Sequence, residues 1–138
     1  MRFLIIVKAT PETEAQTSPA PDPAIMSEML DYHEELAQAG ALLDCSGLQP
    51  TSASWRVRYE GTQRRVIDGP FAETKELIAG YTLIQARSRE EAIAWTRRFP
   101  NPCGEGNPAE IEVRPLYALE DFPPSPSVER FKALAGNV

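Results

Sequence analysis

His33 is the one histidine in the chain, and so the one side chain whose ordinary pKa lies near neutrality. It stands on an apolar stripe, within Tyr32-His33-Glu34-Glu35-Leu36. Two roles are open to it: a general base beside a substrate cleft, or a histidine bonded within the core or near a helix end. Asp68, just before Gly69-Pro70-Phe71, is the second candidate. It either accepts a backbone N–H in a turn or points a carboxylate from a strand end into a cleft. Phe71 is expected to anchor that loop in the core. Glu73, Lys75 and Glu76 follow. In extended backbone Glu73 and Lys75 share a side, and a lysine between carboxylates suits an anionic substrate. The alternative is a solvated pair worth well under about 1 kcal/mol.

Together these residues suit cofactor-free proton transfer. His33 would move the proton, Asp68 would orient or share it, and Lys75 would steady an anionic intermediate, with Glu73 and Glu76 beside it. That is lyase or isomerase chemistry on an aromatic or enolisable substrate. The alternative is a non-catalytic ligand-binding or regulatory module. Arg56, Arg58, Arg64 and Arg65 either receive an acidic partner or form a solvated face. Cys45 and Cys103 have no CxxC spacing and are read as free thiols in a reducing, cytoplasmic setting, with Cys45 as a buried apolar filler. No metal-ligand cluster, glycine-rich phosphate loop, GxSxG or HExxH occurs, so neither metal nor cofactor is expected.

The elements that would position these groups are legible in the residue pattern. Phe3 to Val7 is apolar on both faces, as in a central strand. Thr10 to Pro23 is proline-rich and reads as a mobile loop or lid. Asp22 and Pro23 suit the start of a helix, whose buried face would carry Met26, Met29, Leu30, His33, Leu36 and Ala37, with Gly40 as its stop. A short strand at 41–44 and an irregular connector at 47–54 come next. Trp55 to Tyr59 and Arg64 to Asp68 form a hairpin around Gly61, and 77–86 is another strand. Ser88 and Glu91 form a capping box for a second helix ending at Pro100. Glu110 to Arg114 is the last strand, and 128–134 a short helix in a proline- and serine-rich tail. The order is βαββαβ with an inserted hairpin, an α+β, ferredoxin-like arrangement. Two helices cover one face of such a sheet, so a second copy of the chain is expected on the other.

The length of 138 residues suits one domain. A net charge of −6 argues against nucleic acid as a partner. The apolar start is too short for a signal peptide, and no stretch reaches membrane-spanning length.

The string Asp68-Gly69-Pro70-Phe71 followed by Ala72-Glu73-Thr74-Lys75-Glu76 resembles the DGPF branch of the YCII-related family. So do Tyr32-His33-Glu34-Glu35-Leu36 before Gly40, Gly47-Leu48-Gln49-Pro50 after it, and Glu112-Val113-Arg114-Pro115. The motifs fall in the family's order over residues 1–117, leaving 118–138 as a tail. The resemblance implies a homodimeric α+β barrel of ferredoxin-like subunits. Some relatives are proposed enzymes, including a chlorohydroquinone dehydrochlorinase. Some of the genes stand near extracytoplasmic-function sigma factors, which implies a regulatory setting. In the founding branch a histidine on the first helix and an aspartate ending the second are thought to form a catalytic dyad. The matching positions here hold Met29 and Phe99, so that dyad does not carry over.

Overall fold

The computed structural model describes residues 1–15, 22–72 and 75–135. In chain order the elements are β1 (Arg2–Lys8), α1 (Pro11–Ala15), α2 (Pro23–Gln38), β2 (Leu42–Gly47), β3 (Trp55–Glu60), β4 (Gln63–Asp68), β5 (Ile78–Gln85), α3 (Arg89–Arg97), β6 (Ile111–Pro115) and α4 (Pro126–Ala135). Four strands form one antiparallel sheet in the order β2-β5-β1-β6, while among the described residues β3 and β4 pair only with each other. This is the ferredoxin-like α+β fold with a hairpin inserted between its second and third sheet strands.

The apolar run of β1 is explained by its place at the sheet's centre, between β5 and β6. Phe3 and Ile5 point to the helical side, opposite Ile84 and Thr82 in β5. There they join Tyr32, Leu36, Ala41, Ala86 and Ala92 in the core. Ile5, Leu36 and Ile84 are fully buried, each contributing about 1.5–3 kcal/mol by leaving water. Leu4, Ile6, Tyr81 and Leu83 take the other face by alternation and stay half-buried. Lys8 and Glu112 pair at its margin at 3.5 Å.

α2 starts where its residues dictate. Asp22 accepts the N–H of Ala24 at 2.8 Å, and Pro23 fills the first position. It ends in a Schellman turn, with Ala41 N–H bonded to the Leu36 carbonyl, Gly40 N–H to that of Ala37, and Gly40 at φ +71. The buried face differs from the expected stripe. Tyr32 and Leu36 are buried and Ile25, Met29 and His33 half-buried, whereas Met26, Leu30 and Ala37 are exposed. A helix turns 100° per residue, and an aromatic at 32 rotates the covered face by one position. α3 begins as expected, Ser88 accepting the Glu91 N–H at 3.1 Å. The Glu91 carboxylate reaches back to the N–H of Arg87 rather than that of Ser88.

The expected loop at 10–23 is corrected over its first part. Pro11–Ala15 is helical, capped by reciprocal bonds between Thr10 and Thr13. Residues 16–21, the middle of that expected lid, lie outside the described residues. The connector contains a 3₁₀ turn, Thr51–Ala53, and β2 runs on to Gly47. Cys45, expected to be buried, is exposed because it lies on the outermost strand, β2.

Candidate functional site

The loop after β4 is built onto the 3₁₀ turn. Gly69 lies so close to the Thr51 carbonyl oxygen that a Cβ would stand 1.9 Å from it. Its N–H donates to the Ser54 carbonyl at 2.8 Å. The Gly69–Pro70 bond is cis. Phe71 N–H then donates to Thr51 Oγ1 at 3.0 Å. Thr51 is itself held from α1, where Glu14 accepts both its hydroxyl and its N–H, the latter at 3.2 Å. Helix, turn and loop are thus tied at one point. The Phe71 ring does not enter the core cluster, contrary to expectation. It lies under the Arg56 guanidinium, 3.8 Å from the ring centroid.

These contacts wall an open cleft of about 600 Å³. Its rim is backbone and side chains of 47–56, including Thr51 and Arg56. Its other side is Phe71, Glu76, Leu77 and Ile78. Among the described lining residues the charged groups are Arg56 and Glu76, one of each sign, beside apolar and neutral polar side chains.

Of the residues singled out in the sequence, Glu76 is brought to this cleft. Lys75 sits in the adjoining turn, exposed, and does not line it. Glu73 lies outside the described residues. Asp68 is exposed at the end of β4, opposite Trp55. Among the described residues its expected turn bond is not formed, because the loop's N–H groups at 69 and 71 are taken by Ser54 and Thr51.

His33 sits apart from the cleft, between α2 and the sheet. Nδ1 is 2.6 Å from the Met29 carbonyl oxygen, and Nε2 is 2.8 Å from Thr82 Oγ1. A carbonyl only accepts, so Nδ1 carries the proton. In the neutral ring Nε2 then accepts the Thr82 hydroxyl. Thr82 is only 2% exposed. The Tyr32 and Phe99 rings stand edge-on to the imidazole, with centroids 5.6 and 6.1 Å away. Met29 and Phe99 therefore both touch His33, one by its backbone carbonyl and the other by an apolar ring. Beside them Tyr32 donates to the Trp95 carbonyl at 2.8 Å. Burial pushes its phenol up to about 12, with Arg98 opposing and Glu35 assisting. Tyr81, on the open face, is raised chiefly by its bond to Asp44.

Sequence reasoning passed over Thr51, Glu14 and the cleft role of Arg56. Strand alternation separates Arg56 from Trp55 and so hints at its side of the hairpin. Nothing local marks Thr51, whose partners are 37 and 20 residues away. Among the described residues no group of three or more His, Cys, Asp or Glu could hold a metal ion, and no helix is long and apolar enough to cross a membrane.

The family model for the YCII-related domain matches residues 1–117. An uncharacterized protein of Rhizobium meliloti (strain 1021) is 36% identical over 97 residues, a stretch covering 69% of this chain and 75% of that protein.

Proposed function

The chain belongs to the YCII-related family, and from that premise we propose that it is a homodimeric small-molecule-binding protein whose ligand occupies the cleft between segment 47–56 and residues 71 and 76–78. The observation that carries this reading is the cleft itself. Its volume falls within the range of about 300–1,000 Å³ of ligand pockets, and its lining combines apolar side chains with polar and charged ones. Phe71, the last residue of the Asp-Gly-Pro-Phe segment, lines it and is braced through Thr51 and Glu14.

Binding without turnover is favoured because both nitrogens of His33 already have protein partners. A regulatory role fits such a binder, and two unpaired thiols fit a cytoplasmic setting. The acid–base reading, as a lyase or isomerase, has one observation in its favour. The Met29 carbonyl fixes Nδ1 and leaves Nε2 as the nitrogen able to take a proton. That reading requires a substrate to replace the nearly buried Thr82 hydroxyl.

Amide chemical-shift mapping with a library of small organic acids and amines tests the proposal. Saturable shifts within 47–56 and 71–78, with no substrate consumed, are expected. Shifts centred on His33 and Thr82 together with turnover that is lost in His33→Gln would replace it with the acid–base reading.

A further inference from the structure

The cleft's most specific feature is the state of Arg56. Its guanidinium lies flat on Phe71 at 3.8 Å from the centroid. The ring below is fixed by its own backbone bond to Thr51. Arg65, Arg87, Arg98 and Arg114 each have a carboxylate partner. Among the described residues Arg56 has none, and neither do Arg2, Arg58, Arg64, Arg89, Arg97 and Arg130, but of these Arg56 is the one that lines the cleft. A stacked guanidinium spends its face on the ring and keeps its in-plane N–H groups free. Those groups match the two oxygens of a carboxylate, and an arginine already held in place loses less freedom on forming the pair.

We propose, resting on the cleft reading above, that Arg56 is the anion-recognising residue of the cleft and that the ligand is a small monocarboxylate. Its apolar body lies over Leu48, Leu77 and Ile78, and a hydroxyl or ammonium donor at its far end faces Glu76. Three observations favour this class. Leu48, Leu77 and Ile78 supply apolar lining. Arg56 is the only cation among the described lining residues, so one negative charge is matched and two are not. Glu76 accepts hydrogen bonds when ionised and repels a dianion. A phosphate ester is therefore disfavoured by the same pair of charges that selects the carboxylate.

The test is an amide chemical-shift titration of the full chain with para-hydroxybenzoate, its uncharged methyl ester and phenyl phosphate. Para-hydroxybenzoate is expected to give saturable shifts within 47–56 and 71–78, with the other two probes binding at least about tenfold more weakly, since hydrogen bonds to charged groups contribute about 1.5–3 kcal/mol. Arg56→Gln is expected to weaken para-hydroxybenzoate by about 10- to 100-fold, and Arg56→Lys by an intermediate factor because the fork is lost and the charge kept. Glu76→Gln should raise the affinity for phenyl phosphate by removing the repulsion. Unchanged cleft binding in Arg56→Gln overturns the role of Arg56 while leaving the cleft intact as a ligand site. Tighter binding of phenyl phosphate than of the carboxylate overturns the ligand class. No saturable shift in the cleft from any of the three probes overturns both this inference and the reading it rests on.

Discussion

Thr82 is a polar residue at the centre of an apolar face, opposite Ile5 in the neighbouring strand. Its hydroxyl is accommodated because His33 bonds to it and is in turn held by Met29. Deleting one partner strands the other, at a cost of about 1–3 kcal/mol for a buried unsatisfied group. Replacing both with apolar groups of similar shape removes that penalty. His33→Phe and Thr82→Val are therefore each expected to lower the urea midpoint. The double variant should lose less than the sum, with a coupling of about 1 kcal/mol. Strict additivity would show that the His33–Thr82 bond contributes nothing. A histidine on an amphipathic stripe is visible in the sequence. Its partner is not, because Thr82 lies 49 residues away, and only the register of the sheet brings it under α2.

At the scale of elements, two glycines stop two segments for different reasons. Gly40 has φ +71 and nothing within 4 Å of a would-be Cβ, so its requirement is purely conformational. Gly69 has an ordinary φ, but its Cβ position is filled by the Thr51 carbonyl. The neighbour there is backbone, which cannot swing aside as a side chain could. Gly69→Ala is expected to cost about 1–3 kcal/mol, the usual range for overpacking a tight site, and to displace the loop. A lowered melting temperature with altered amide shifts at Thr51, Ser54 and Phe71 would register it. A variant with wild-type stability and unmoved shifts would show that the loop and the turn do not touch. The strands, both main helices and their caps were legible because each rests on local periodicity and on residues at most a few positions apart. The first turn after β1 was not, since Pro11–Ala15 draws on reciprocal threonine bonds and on Glu14 reaching the connector. Proline content alone suggested only a loop.

For the whole molecule, the open side of the sheet carries the quaternary expectation. Leu4, Ile6 and Leu83 lie there at the centre, with Lys8, Glu112, Arg114 and the Tyr81–Asp44 pair toward the edges. An apolar centre with a polar margin is the pattern of a stable interface. Sedimentation analysis of the wild type is expected to give a homodimer, and Ile6→Asp a folded monomer, because a charge there would be buried without a partner. A monomeric wild type would remove the dimer from the proposal. The ferredoxin-like order could be read from the sequence because alternation, helical period and turn residues all agree. The cleft could not, since it joins positions 51, 56, 71 and 76, which meet only once the chain has folded.

The hairpin has one more implication. Among the described residues its strands pair only with each other, and Trp55 and Asp68 stand opposite at its root. The bond from Gly69 to Ser54 fastens that root. The arm's outer length is therefore independent of the four-stranded layer: adding or removing residues in matched pairs around Gly61 leaves the alternation at Arg56 unchanged. Chains built on this plan are free to lengthen or shorten the outer arm and thereby change what they present to their surroundings, while the ligand cleft at its base keeps its shape.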